Sequence, residues 1–311
     1  MILDRCTRLS KDRLDRLKKG IDLLEEWIHQ LLQQGLEVLR KDIHRIDDMA
    51  TRAVDYGMPS IARRLRLIPT KIAEETEWIE FLSVELGQLL FLIDSIKNPN
   101  TQLHPEDVLS TLGVSIKKQE VIDHTQSIED EWLYIGSIHD KEENIRIHRH
   151  WFYGIHFHKY ALFLDFEVNR FTKIREFHLG KLYVGAVHYY PSAMPLRVVS
   201  IPTADRSMPS QIEFKKHSIK SYQESYAKAF SAHPFIRQTP VCLSEIKIIK
   251  EQEIWFLSDS EGFGMLSAAE ESQNYKMMGY CMDPHIILLG EFSEKQFNPM
   301  SVFSQGYIKK I

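Results

Sequence analysis

From Leu14 onward the apolar residues recur at alternating spacings of three and four: Leu14, Leu17, Ile21, Leu24, Ile28, Leu31 and Val38, with Gly35 in the place between the last two. That spacing puts them on one seam of a long helix. Trp27 widens the stripe, and Ser10 reads as the N-cap. Gly20 and Gly35 each cost a helix roughly 1 kcal/mol relative to Ala, so they mark close packing or, at Gly35, a break. A helix is expected over 43–56, ended by Gly57 in a left-handed conformation. Pro59 then opens a short helix to Leu67, and Pro69 closes it. Ile72, Ile79, Leu82, Leu86, Leu89, Ile93 and Ile96 repeat the first spacing with one gap, at Glu75, and predict a second long helix over 72–96. Two long helices with matching seams imply an antiparallel pair joined by shorter helices. Asn98, Pro99 and Asn100 interrupt the pattern; helices over 105–112, ended by Gly113, and 115–123 follow, and the helical region ends near residue 126.

The period then changes from 3.6 to 2, and the stretch from Trp132 to Val199 carries the clearest strands. Residues 131–138 alternate, and 140–144 read as a turn. Residues 145–155 and 160–166 read as strands joined by a tight turn at 156–159. Along the first of these, Ile145, Ile147, Arg149 and Trp151 share one face, and Arg146, His148, His150 and Phe152 share the other. A further pair, 181–190 and 196–201, is joined by residues 191–195. Consecutive strands with short turns imply an antiparallel meander. Residues 204–210 read as a loop, 218–232 as a helix capped by Ser218, and 241–249, 253–258, 264–268, 275–282 and 286–292 as strands, with a hairpin turn at 259–262. The fold class expected is α+β: an N-terminal helical bundle, an antiparallel sheet region, and a C-terminal helix with a small β region. The corresponding domains are 1–126, 127–205 and 206–311.

Composition narrows the function. Of the 311 residues 43% are hydrophobic and 26% charged, the balance of a globular chain, and the net charge is −4. A chain that wraps nucleic acid carries a basic excess, which is missing here. The 3 cysteines, Cys6, Cys242 and Cys281, are far apart and form no CxxC, which argues against a disulfide framework or structural zinc site and fits a reducing compartment. The first residues carry charges throughout and do not read as a signal peptide; the expected setting is the cytoplasm.

Candidate chemistry concentrates on histidine. His139, His148, His150, His156 and His158 fall close together, and the His148/His150 spacing on one strand face suits metal chelation. No HExxH accompanies them. The competing reading is a polar strand face. Asp165 reads as a strand-end residue that accepts backbone hydrogen bonds. Ser260–Gly264, SEGFG, lacks the order of a hydrolase elbow. Arg63, Arg64 and Arg66 read as a solvated face paired with Asp47, Asp48 and Asp55. Arg146, Arg149, Lys159 and Tyr160 are the only candidates for stacking and charge contacts with single-stranded nucleic acid. No catalytic, cofactor-binding or metal-ligating residue is assigned, and no cofactor is expected.

Six segments in order resemble the bacterial SWIM zinc-finger family, in the part that follows the finger. They are GIDLLEEWIHQLLQQGL (20–36), MATRAVDYGMPSIARRLR (49–66), EWLYIGSIHDKEENIRIHRHWFYG (131–154), ALFLDF (161–166), VHYYPSAMPLRVV (187–199) and LLGEFSEKQFNPMSVF (288–303). The resemblance runs from about residue 13 to the C-terminus. The CxC and CxH pairs of the finger are missing and the only nearby cysteine is Cys6, so the family's zinc binding carries over to no residue here. Either the finger lies on a separate upstream protein or this member has lost it. Members look like non-catalytic components of multi-gene systems, encoded beside a MoxR-type AAA+ ATPase and a von Willebrand A-domain protein. The resemblance therefore implies an adaptor that binds such a protein partner. A metal-dependent enzyme using the histidine strand and a nucleic-acid-binding module are the alternatives.

Overall fold

The computed structural model describes residues 1–6, 8–74, 77–142, 145–169, 171–209 and 211–311. It divides into two compact units, Met1–Ile116 and Lys117–Ile311.

The first unit is helical: α1 (Lys11–Gln34), α2 (Glu37–Lys41), α3 (His44–Asp55), α4 (Pro59–Glu74), α5 (Trp78–Lys97) and α6 (Pro105–Leu112). α1 packs on α3 and α5, and α4 packs on α3, α5 and α6. The Ser10 hydroxyl accepts the Arg13 N–H, and Leu17, Ile21, Leu24, Ile28 and Leu31 are buried, so the expected seam faces the core. Gly35, at φ +85°, ends α1. Gly20 has the other role: a Cβ there would lie 2.5 Å from the Tyr56 Cβ, so α1 rests directly on the end of α3.

Two helical expectations need correction. α4 continues through Pro69 to Glu74 instead of stopping at Leu67. An internal proline costs a helix about 3 kcal/mol, but Ile68 and Ile72 on either side are buried and hold the segment in register. Ile72 therefore belongs to α4. α5 starts at Trp78, which is buried, whereas Ile79 is 50% exposed. The gap expected at Glu75 lies outside the described residues.

The second unit starts with α7 (Lys118–His124), which the sequence groups with the bundle. Its first sheet holds β1 (Ile128–Glu142), β2 (Ile145–Gly154), β3 (Tyr160–Glu167), β4 (Lys181–Val187) and β5 (Asp205–Ser207), all antiparallel in the order β3-β2-β1-β4-β5. The meander β1-β2-β3 is as expected, and β4 returns to the free side of β1. Asp140 and Lys141 belong to β1, paired with Ile147 and Arg146, rather than to a turn; Glu143 and Asn144 lie outside the described residues. The expected strand 196–201 is reduced to bridges from Arg197 to Leu162 and from Val198 to Tyr189. Pro195 and Pro202 flank this segment, and proline cannot donate to a ladder. In the expected loop 204–210, β5 forms an edge strand; Ser210 lies outside the described residues.

Helix α8 (Ile219–Ala232), capped by Ser218 as expected, leads to the second sheet. It comprises β6 (Gln238–Ser244), β7 (Lys247–Glu251), β8 (Ile254–Ser258), β9 (Gly264–Ser267), β10 (Ile287–Ser293), β11 (Gln296–Ser304) and β12 (Tyr307–Lys310), in the order β6-β10-β11-β9-β8-β7 with β12 beside β11. The pair β9–β11 is parallel. The single strand expected over 241–249 breaks at Glu245, which sits at φ +58°. Residues 275–282, expected as a strand, form helix α9 (Glu271–Tyr280) instead. A capping box between Glu270 and Gln273 starts it, and Met277 anchors it in the core.

The two sheets share one core. Leu133, Ile135, Trp151, Tyr153 and Leu182 of the first pack against Cys242, Ile287, Leu289, Met300 and Phe303 of the second. α8 and α9 cover the opposite face of the second sheet, over Leu243, Ile248, Trp255, Leu257 and Met265.

The Gly20 contact sets two effects against each other. Gly20→Ala gains roughly 1 kcal/mol of helix propensity but forces a methyl into Tyr56, and overpacking costs typically 1–3 kcal/mol. Urea unfolding of this variant should therefore show no stabilisation or a net loss of about 1–2 kcal/mol.

Candidate functional site

Strand β2 is the densest polar feature of the chain, and its two faces have different fates. On the inner face Arg149 reaches across to Glu291 of β10: Arg149 Nε donates to Oε2 at 2.9 Å and Nη2 to Oε1 at 2.9 Å. Trp151 Nε1 donates to the same Oε2 at 2.7 Å, and Arg149 Nη1 donates to Asp140 at 2.5 Å. Glu291 is 0% exposed. Burial alone would lower the Arg149 pKa, but the bonds to Glu291 and Asp140 raise it, so the guanidinium stays charged. Each Glu291 oxygen is fully bonded, the condition under which a buried pair is tolerated. Regular alternation along β10 puts Glu291 on the inner face with Ile287 and Leu289, and a Cβ on Gly290 would overlap the Phe297 ring.

On the outer face His150 is 5% exposed, enclosed by Tyr134, Phe163 and Phe177. Its Nδ1 bonds the Tyr134 hydroxyl at 3.2 Å, and its Nε2 is buried with no partner. Burial, reinforced by the neighbouring His148, pushes its pKa down to about 4, so the ring is neutral. His148 approaches Glu167 at 3.4 Å and faces His139, its register partner, at 4.7 Å between ring centres. The expected shared face of His148 and His150 is real, but their rings stack 6.1 Å apart and His150 turns toward aromatic rings. Among the described residues no group of three or more His, Cys, Asp or Glu side chains is arranged to hold a metal ion. His156 and His158 sit at the other end of β2: His156 lies 3.7 Å from Glu131, and His158 Nδ1 bonds the Tyr153 hydroxyl at 2.7 Å. The five histidines therefore do not converge.

Other candidates serve the fold. Asp165 lies inside β3, not at its end, and accepts the N–H groups of Phe166 and Arg175. Arg64 pairs with Glu85 at 2.8 Å and Gln88 at 2.8 Å, both on α5, and not with the aspartates of α3. Of the nucleic-acid candidates, Arg149 is buried in its ion pair and Tyr160 packs on the shared core, where burial raises its phenol pKa. Arg146 lies 3.6 Å from Glu167. Cys242 lies in the shared core with its thiol pushed up to about 12 by burial; burial raises Cys6 and Cys281 to about 11. SEGFG forms the β8–β9 turn, where Asp259 accepts the Glu261, Phe263 and Lys220 N–H groups.

Sequence reasoning passes over two residues. Buried Asp130 accepts the His156 and Phe157 N–H groups at 3.1 and 3.0 Å and so fixes the β2–β3 turn. The available signal is Gly154, where a Cβ would come within 2.5 Å of the Asp130 carboxylate. Glu291 is the other, within the apolar run 286–292.

Removing one partner of the buried pair strands the other charge, which costs about 3–5 kcal/mol. Glu291→Leu should lose that much stability in denaturant titration, while Arg149→Met/Glu291→Leu loses less than the single variant. His150 gives a pH signature. Its folded pKa lies below its ordinary value of 6.5, so its contribution is fully present above pH 6.5 and is lost as pH falls toward 4. The loss should reach about 2–3 kcal/mol, and His150→Phe should flatten this part of the pH–stability profile.

No curated protein and no solved structure matches the chain. Residues 12–111 match a family model described as the SWIM-associated four-helix bundle domain. That match begins within α1 and ends within α6. The helical part of this chain is thus similar to the SWIM-associated four-helix bundle domain; two packed β-sheets follow it, and the sequence carries none of the cysteine–histidine pairs of the finger.

Proposed function

We propose that this protein is a non-catalytic adaptor of a bacterial multi-component system, working in the cytoplasm, with the helical unit as its docking element. The partner class is a MoxR-type AAA+ ATPase or a von Willebrand A-domain protein, as the family resemblance implies. The observation that supports docking is the surface of α5. This helix, WIEFLSVELGQLLFLIDSIK, is apolar around most of its circumference, a pattern found in helices that are covered on all sides. Its inner side, Leu82, Leu86, Leu89 and Ile93, is buried. Its outer side leaves Val84 and Phe91, seven residues apart on one face, exposed by 51% and 50%. Gly87, between these two, has open space where a Cβ would stand, so a partner helix can approach closely. Amphipathic helices dock through such rows of anchors. The α4 side of the row is held by the Arg64 bonds to Glu85 and Gln88, which fix α5 in place.

The test is affinity purification of the tagged full chain from its own host, beside the variant Val84→Asp/Phe91→Asp. A stoichiometric ATPase or von Willebrand A-domain protein should co-elute with the wild type, and the variant should bind it at least about tenfold more weakly. A wild-type chain that elutes alone, or a folded variant that retains its partner, contradicts the reading.

A further inference from the structure

The second sheet ends in β7, and among the described residues β7 pairs only with β8. The two-residue turn Gln252–Glu253 makes Glu251–Ile254 the closing pair of that hairpin. Alternation along the ladder then turns the N–H and C=O of Ile248 and Lys250 outward, away from β8. No strand among the described residues occupies that edge. Cross-strand pairing places Ile249 beside Phe256 and Phe256 beside Leu266, so an apolar row runs over β7, β8 and β9. Leu266 is exposed, and Ile249 and Phe256 are half-buried. The row lies on the face that the first sheet covers only further along, over β6, β10 and β11.

The occupant is indicated by charge. β7 reads Lys-Ile-Ile-Lys-Glu, with exposed Lys247 and Glu251 two residues either side of Ile249 on one face. Neither forms an ion pair among the described residues; Lys250, on the other face, is held by Glu271 at 2.9 Å. A lysine on a sheet edge usually repels a second strand. Here a two-fold axis through Ile249 would set Lys247 of one copy against Glu251 of the other, twice, and Ile249 against itself. Ile248 and Lys250 would then exchange about four backbone hydrogen bonds with their counterparts. We propose that β7 is a self-complementary edge through which two copies of this chain join their second sheets, antiparallel, into one continuous sheet. The proposal is independent of the adaptor reading.

Sedimentation equilibrium of the full chain tests it, with Lys247→Glu, Glu251→Lys and the double swap Lys247→Glu/Glu251→Lys, each checked for folding by circular dichroism. The wild type should be a dimer. Each single reversal sets like charges opposite each other twice and should raise the dissociation constant at least about tenfold, and the double swap should restore it. In a separate variant, Ile249→Cys should form a disulfide-linked dimer on mild oxidation that the wild type does not, because a non-hydrogen-bonded pair sits about 4.5 Å apart at Cα. A monomeric wild type, a dimer indifferent to either reversal, a swap that fails to restore association, or no Ile249→Cys cross-link would each overturn the proposal.

Discussion

The second unit depends on one buried ion pair. Arg149 and Glu291 are far apart in sequence, on different sheets, and meet where neither has water as an alternative partner. Taking two charges out of water costs several kcal/mol each, and only a bidentate pair with further bonds recovers that cost. Trp151 and Asp140 supply those bonds. The pair thus contributes less as net stability than as register. A slip of β2 by one residue would carry Arg149 to the outer face and leave Glu291 uncompensated, a penalty far larger than any apolar mispairing. On the other sheet the unbroken pairing of β10 with β6 does the same, because it keeps Glu291 on the face of Ile287 and Leu289.

Much of this was legible locally and little of it globally. The helical seam of α1, the left-handed stops at Gly57 and Gly113, the Ser218 cap and the two faces of β2 follow from periodicity and cap chemistry, which are properties of neighbouring residues. The errors arise where tertiary packing decides. Pro69 stays inside α4 because Ile68 and Ile72 are buried on both sides of it. Tyr275, Met277 and Met278 suggest a strand, yet the capping box at Glu270 and the anchor at Met277 make a helix. Strands β11 and β12 are missed because Asn298, Pro299 and Ser301 break the alternation, and their place is set by partners in β10 and β9. The shared core is invisible for the same reason: nothing near Arg149 announces Glu291.

The histidine strand shows how position outranks composition. Five histidines in a short stretch suggest a metal, but the meander sends them to three separate environments: His150 into an aromatic enclosure, His148 beside Glu167 and against His139, and His156 and His158 to the far turn. Three buried carboxylates, Asp130, Asp259 and Glu291, each bond backbone N–H groups or side chains that hold a turn or a sheet in place. What the fold leaves exposed is surface of another kind: apolar side chains on the outer side of α5, and an edge of β7 that no other strand among the described residues occupies. Both are suited to contact with other protein chains.

Native-state hydrogen exchange on the full chain tests the central claim, that the two sheets form a single cooperative body pinned by Arg149 and Glu291. The amides of β1 and β2 should exchange in the same slowest class as those of β10 and β11, and all four strands should shift together with added denaturant. Separate classes, with either sheet opening while the other remains protected, would contradict it.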